Sequence, residues 1–181
     1  EDLGTETRTL CSGSDRGVSV GITGTIPQGN IANASLGAVT ALPFGTGKVL
    51  QVSNFVQTSS AQNISSSSYT DLTAMSVAIT PTASNSKILI SASINARTVD
   101  QLGFGMQFVR GSTSVYATLA TYSIYTSGIT EIYSAYPFSY IDSPNTTSET
   151  TYKIQVRTHN GNEVNFNAGI NSNIYLMEIG A

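Results

Sequence analysis

The chain has 181 residues, a formal net charge of −3 and 10% charged residues, against roughly 25% in an average soluble domain. The single Cys and single His exclude an intrachain disulfide and a zinc site built from Cys and His. The scarcity of Lys and Arg argues against nucleic-acid binding through a basic face. Tyr, Phe, Val, Ile and Thr are common, and Ser, Thr and Asn make up about a third of the chain. Because these residues suit a pleated, half-buried surface, we predict an all-β protein with neutral polar faces.

Residues 1–47 are rich in Gly, Ser and Thr and carry only small, scattered apolar side chains. Within them, segment 17–26 (GVSVGITGTI) alternates apolar and small polar residues, as an extended strand does. Its apolar positions are Val18, Val20, Ile22 and Ile26. We therefore predict that residues 1–47 form an extended arm, which lies against the following domain or is donated as a strand to another subunit.

In residues 48–181, strands and turns recur roughly every eight to twelve residues, a spacing typical of a β-sandwich or barrel. The clearest alternation is in residues 87–97 (KILISASINAR), which place apolar side chains on one face and Ser91, Ser93 and Asn95 on the other. We predict strands at 49–52, 76–80, 87–97, 103–110, 114–121, 129–140, 151–158, 163–167 and 173–179. Asn160-Gly161 is a strong signal for a β-hairpin. We predict that residues 48–181 form an antiparallel, jelly-roll-like β-sandwich.

The sequence gives little support for catalysis. Asp142 and Glu149 flank a predicted loop, and a glycosidase needs two carboxyl groups at a set separation, but such pairs arise by chance among eleven acidic residues. The segment Gly45–Lys48 departs from the phosphate-binding loop pattern at two positions, Leu42 and Val49. We therefore predict that the protein is not an enzyme and holds no cofactor or metal.

His159 is the chain's single imidazole and stands beside Asn160-Gly161. One interpretation is a base or a pH-sensitive contact. The other interpretation is an exposed polar residue of a turn. No run of the sequence approaches 18 consecutive apolar residues, so we expect no transmembrane helix.

Tyrosines are concentrated between residues 116 and 140. They are Tyr116, Tyr122, Tyr125, Tyr133, Tyr136 and Tyr140. Because Tyr joins an apolar ring to a polar tip, these residues are suited to contact a sugar or a protein; the alternative is packing within sheets and between subunits. The candidate receptor or intersubunit contacts are Tyr122, Tyr125, Tyr133, Tyr136, His159 and Asn160. We expect any receptor contact to use loops around 98–102, 122–128 and 159–162, since loops on a rigid scaffold carry recognition.

Five blocks of sequence follow one another from Gly45 onward. They are GTGKVLQV (45–52), SYTDLTAMSVAITPTASNSKILI (68–90), FVRGSTSVY (108–116), YIDSPNTTSETTYKIQV (140–156) and IYLMEIGA (174–181). In this order and spacing the chain resembles a domain of virion appendage proteins from tailed phages, especially phages of marine and cyanobacterial hosts. The resemblance covers about three-quarters of the chain, and residues 1–30 fall outside it.

The resemblance implies a structural protein of the virion, such as a tail-fibre subunit, whose β-sandwich knob attaches the particle to a host. It also implies a homotrimer, with other virion proteins and a host-surface glycan or protein as partners; we expect neither nucleic acid nor an inserted membrane segment. Two alternatives remain open: a capsid decoration or adaptor protein, and a subunit of an extracellular filament that assembles by strand donation from the arm. A glycan-degrading enzyme is a more distant hypothesis.

Overall fold

The computed structural model describes residues 47–58, 61–118, 124–167, 169 and 171–180. In this part of the chain it contains eleven β-strands and one short 3-10 turn at His159–Gly161. The strands are β1 (Val49–Val56), β2 (Gln62–Ile64), β3 (Thr70–Ile79), β4 (Lys87–Val99), β5 (Leu102–Arg110), β6 (Thr113–Ala117), β7 (Ile124–Thr126), β8 (Glu131–Asp142), β9 (Thr150–Thr158), β10 (Val164–Phe166) and β11 (Asn173–Ile179).

The chain divides into two units, Glu1–Thr40 and Ala41–Ala181, and every described residue belongs to the second unit. Residues 1–46 of the predicted arm, with the candidate strand at 17–26, lie outside the described residues. The prediction of an extended, strand-donating arm at Val18, Val20, Ile22 and Ile26 therefore stays a prediction. Among the described residues, no helix has the length and apolar character needed to cross a bilayer.

Two antiparallel sheets form the domain. In the first sheet the neighbouring strands are β1, β11, β4 and β8, with β2 and β10 continuing the β1 and β11 positions. In the second sheet the neighbours are β3, β9 and β5, with β6 and β7 both paired to β5. Three pairs of short strands, β1 with β2, β6 with β7 and β10 with β11, can each be counted as one interrupted strand. Renumbered along the chain, the eight resulting strands have the order 1-8-3-6 in the first sheet and 2-7-4-5 in the second. This is the order of a jelly roll, so the predicted all-β sandwich is confirmed.

The core lies between the two sheets and follows the predicted alternation. From β4, Ile88, Ile90 and Ile94 are fully buried, and from β5 Phe104 and Phe108 face them across the sandwich. The inward side chains of β9 and β11 complete the same cluster. Each such side chain stabilises the folded state by about 1.5–3 kcal/mol relative to leaving it exposed, so the alternating strands supply most of the driving force for folding.

The predicted Asn160-Gly161 hairpin is wrong. Both residues adopt the positive φ expected of that dipeptide, 52° at Asn160 and 72° at Gly161. However, β9 belongs to the second sheet and β10 to the first. The positive φ angles were therefore predicted correctly. The turn, however, carries the chain from one sheet to the other and does not join paired strands.

The third strand is longer than predicted, because a bulge interrupts its alternation. Its register with β9 shifts between Asp71 and Ser76, and Ala74 has a φ of 65°. As a result Leu72 and Met75, which are three residues apart, are both buried. The three-residue strands β2 and β7 were not predicted.

Asn95 was expected on the solvent side of β4 but is buried. It lies between the stretches of β4 that pair with β11 and with β10. There the Asn95 N–H donates to the Ser172 hydroxyl at 2.9 Å, and its carbonyl accepts from the Asn167 N–H at 2.8 Å. The backbone bonding of β4 thus continues across the interruption, because backbone polar groups that are buried need partners.

Candidate functional site

Four connections meet at one end of the sandwich, because successive strands run antiparallel: β2–β3, β4–β5, β7–β8 and β9–β10. We call this the loop end, and the opposite end the base. At the loop end the Ser66 carbonyl accepts from the Thr158 N–H at 2.7 Å. The Gly128 N–H donates to the Asp100 carboxylate at 2.6 Å, which ties β7–β8 to β4–β5. The described parts of the loops at 98–102, 122–128 and 159–162 therefore lie at the same end.

Three of the candidate contact residues form a small group at the loop end. The rings of Tyr125 and His159 meet edge to face, with centroids 5.6 Å apart. The Asn160 side-chain nitrogen is 2.9 Å from His159 Nε2. Tyr125 is 41% exposed. This group offers an apolar ring beside two polar side chains, a combination suited to a sugar or a protein surface.

The strand that carries Tyr125 is held by specific contacts. The Thr126 hydroxyl lies 2.5 Å from the Val99 carbonyl and 3.0 Å from the Leu102 carbonyl, where it can donate to either. Gly103 lies opposite Tyr125 in the ladder, and a Cβ at this position would overlap the Ile124 carbonyl oxygen. The absence of a side chain at Gly103 thus allows β7 to approach β5 closely.

The remaining candidate tyrosines separate into exposed and packed residues. Tyr133 is 51% exposed, and the Arg97 guanidinium lies 5.9 Å from its ring centre. Tyr136 instead packs edge to face on Phe104 at 5.4 Å, so its ring helps to close the core. Tyr116 and Tyr140, outside the candidate list, stack on each other at 5.2 Å. Tyr122 lies outside the described residues.

At the base, Asp142 joins the two sheets through a buried polar network. Its carboxylate, on β8, accepts from Arg110 on β5 at 2.7 Å and from the Tyr152 hydroxyl on β9 at 2.7 Å. Asp142 is 7% exposed and Tyr152 is fully buried. Burial and the bond to Asp142 raise the pKa of Tyr152 well above its usual value. Asp142, considered from sequence as half of a glycosidase pair, is thus engaged in holding the sandwich together.

A second buried carboxylate, Glu178, performs the same task near β1 and β3. It accepts from Gln51 at 2.6 Å, and from the backbone N–H and hydroxyl of Thr82 at 2.7 Å each. Burial raises the pKa of the Glu178 carboxyl, but hydrogen bonds from Ser86, Gln51 and Thr82 outweigh burial and lower the pKa to about 2. Glu178 therefore stays ionised and links β1 and β11 to the β3–β4 turn.

Neither carboxylate was selected from the sequence for this role, although both carried a signal. In β11, alternation puts Glu178 on the same face as Ile174 and Leu176, which is the core face. In β8, Asp142 follows Tyr136 and Tyr140 on the inward side. A charged residue in phase with core residues indicates a buried, bonded charge, because an isolated one is too costly.

The described part of the chain begins at the base. The Gly47 N–H donates to the Gly180 carbonyl at 2.7 Å, and the Gly180 N–H donates to the Lys48 carbonyl at 2.8 Å. From there β1 runs toward the loop end. Gly47, the first described residue, thus lies at the end opposite to Tyr125 and His159. Among the described residues, no three His, Cys, Asp or Glu side chains come together as a metal site requires.

Comparisons with known proteins find likeness in structure but none in sequence. No protein-family profile matches the chain, and no individual curated protein matches it. The crystal structure of the infectious bursal disease virus VP2 subviral particle is similar over 71% of this chain and 33% of that chain, with a TM-score of 0.48 and 14% sequence identity. This chain spans about a third of the length of that protein. A likeness of this size does not extend to function.

Proposed function

We propose that the chain is a non-enzymatic structural protein of a virion, which presents the loop end of its jelly-roll domain outward. The observation that supports the proposal is that the two ends of the domain differ. The chain enters at the base, beside Gly180, and the four linked connections lie at the opposite end. The sequence blocks that resemble phage appendage domains support the virion context. The resemblance favours a tail-fibre or similar appendage that assembles as a homo-oligomer.

Host attachment, within this proposal, uses the group Tyr125, His159 and Asn160. Tyr125 is exposed and belongs to a strand fixed by backbone pairing and by the Thr126 hydroxyl. A rigid, partly apolar site loses little conformational entropy when it binds a ligand. The ligand class that fits an exposed ring beside polar side chains is a surface glycan or a protein loop.

The location of the chain is tested on purified particles. A reconstruction of the intact particle should resolve the domain on an appendage, with its base toward the particle and its loop end outward. The same map distinguishes the alternative of a capsid decoration or adaptor protein, because the domain would then lie on the shell. Absence of the chain from purified particles would contradict the virion proposal.

Attachment is tested separately, with particles that carry Tyr125→Ala and His159→Ala together. We expect adsorption to host cells to fall about tenfold, equivalent to about 1.4 kcal/mol, while particle yield stays unchanged. Thr147→Ala, an exposed substitution in the β8–β9 connection at the base, is the matched control and should leave adsorption intact. Equal adsorption by the double variant and the control would refute the attachment site.

A filament subunit is a second candidate, supported by the edge formed by β1. Among the described strands β1 pairs with β11 alone, and its sequence contains no proline. Val49, Val52 and Val56 are exposed along it. An edge of this kind accepts an added strand readily. If segment 17–26 is donated there, deletion of residues 1–30 should abolish polymer formation seen by electron microscopy, whereas a homo-oligomeric appendage should keep its subunit number.

A further inference from the structure

The outer face of the first sheet carries a row of apolar side chains that crosses four strands. Val52 of β1 is opposite Met177 of β11, Met177 is opposite Leu89 of β4, and Leu89 is opposite Ile141 of β8. Val52 is 55% exposed and Ile141 is 56% exposed. In the described part of the chain, the two ends of the row are therefore exposed and its middle, Met177 and Leu89, is half-buried. A contiguous exposed apolar patch is a sign of an interaction surface.

Toward the base this row is followed by Lys87, whose ammonium group donates to the Ser143 hydroxyl at 2.8 Å, whereas the rows toward the loop end are uncharged. The next two rows toward the loop end are Asn54, Tyr175, Ser91 and Ser139, then Val56, Asn173, Ser93 and Pro137. Further along, the outward cation Arg97 forms an ion pair with Glu131 at 2.7 Å. Within these rows, contact with an identical face would therefore bring together no two charges of the same sign.

The outer face of the second sheet has a different character. There Asp71 accepts from Lys153 at 3.0 Å and from Gln155 at 2.7 Å, and Gln107 donates to Gln155 at 2.5 Å. The hydrogen bonds from Gln155 and Lys153 lower the pKa of Asp71. Covering this face would require removing water from charged groups, which costs free energy. On the first sheet the charged groups lie outside the central rows, at Lys87 toward the base and at Arg97 and Glu131 toward the loop end, so these rows are the better surface for burial.

We propose that the outer face of the first sheet is the contact surface for a second copy of this chain. The size of the face agrees with the proposal. The four strands β1, β11, β4 and β8 have 8, 7, 13 and 12 residues. At about 4.8 Å between strands and about 3.3 Å per residue, their face has an area on the order of 600 Å². A stable interface buries about 800 Å² on each partner. A closed homo-oligomer brings such patches together around its symmetry axis.

Contact through the face is favoured over edge-to-edge pairing of β8. Although β8 is twelve residues long and pairs with β4 alone among the described strands, Pro137 lies at its centre. Proline has no N–H to donate, and within sheets it is found on edge strands, where it blocks further pairing. The apolar row, in contrast, needs no backbone bond to be covered.

This inference goes beyond the proposed function and does not depend on it, because the contact is measured with purified chain and not with particles. The full chain should sediment as an oligomer at micromolar concentration. Val52→Glu and Ile141→Glu, each at an exposed position at one end of the row, should weaken association about 10-fold or more, since burying a new charge against apolar side chains is costly. Sedimentation velocity and light scattering measure the mass and the dissociation constant.

Ala78→Glu and Thr151→Glu are the matched controls, because both are exposed positions on the outer face of the second sheet. They should associate like the unmodified chain. If Val52→Glu or Ile141→Glu fails to fold, as judged by circular dichroism, Ser139→Arg makes the same test at an exposed polar position of that face. A chain that is monomeric throughout, or variants of the first sheet that stay assembled, would overturn the proposal.

Discussion

The base and the loop end join the same two sheets by different chemistry. At the base, Asp142 and Glu178 are buried carboxylates that bond groups from the opposite sheet or from its connection to β4. At the loop end, the links are backbone bonds, the Thr126 hydroxyl, the exposed carboxylate of Asp100 and the Tyr125–His159 pair. Because buried carboxylates hold the two sheets together at the base, side chains at the loop end are available for contact with a partner.

The largest expected effect is at Asp142, which tests most directly whether the base is stabilised more strongly than the loop end. Asp142→Ala leaves Arg110 and the buried Tyr152 hydroxyl without their shared acceptor, and should lower the free energy of unfolding by about 3–4 kcal/mol. Arg97→Met, which removes an ion pair whose side chains are 39% and 42% exposed, should cost less than about 1 kcal/mol. Urea unfolding measures both values. Equal losses would mean that the base is not specially stabilised.

The next effect concerns Glu178 and depends on pH. Because its pKa falls from 4.5 to about 2 on folding, the ionised carboxylate stabilises the folded state by about 3 kcal/mol. That contribution is fully present above pH 4.5 and is lost as the pH falls toward 2. Glu178→Gln should therefore be less stable than the unmodified chain at pH 7, and the difference should shrink in that acid range.

The Glu178 measurement is a series of unfolding curves from neutral to acid pH. Glu163→Gln, which changes an exposed carboxylate near the loop end, is the control and should alter stability by no more than about 0.5 kcal/mol. A difference between the Glu178→Gln and unmodified chains that is constant with pH would contradict the role assigned to the ionised group.

The smallest of the three effects is at Gly103 and is local to the loop end. Gly103→Ala introduces a methyl group into the space of the Ile124 carbonyl, so β7 should separate from β5 at a cost of about 2 kcal/mol. Hydrogen exchange at the β7 amides should accelerate. Gly180→Ala is the control at the base, where the added Cβ would meet Leu50 at 3.5 Å, an ordinary contact. Unchanged exchange in Gly103→Ala would show that β7 accommodates the methyl group and keeps its pairing with β5.

Much of the fold could be predicted because alternation is a local property. Ile88, Ile90 and Ile94 of β4 are spaced by the strand's own geometry, so their common face is readable without knowing what covers it. The strands predicted at 103–110 and 114–121 likewise correspond to β5 and β6, which pair with each other. Glycine and asparagine at residues 160–161 specified a turn conformation, but a turn conformation does not specify which sheet receives the next strand.

The candidate contact residues could be predicted only in part. A cluster of tyrosines in sequence says nothing of depth, and the structure separates exposed Tyr125 and Tyr133 from Tyr136, which packs on Phe104. Tyr125 and His159 lie close together although they are 34 positions apart in the sequence. That proximity depends on β7 and β9 pairing with opposite sides of β5.

The sequence by itself determined the class of the protein: few charges, abundant Tyr, Val, Ile and Thr, and period-two alternation that requires paired sheets with a shared core. The tertiary structure alone decided that Asp142 and Glu178 bridge the sheets, that Val52, Met177, Leu89 and Ile141 form one row, and that the chain enters opposite the loop end. The physical reason is that alternation assigns a side chain to a face, whereas strand order and register decide which distant side chains share that face.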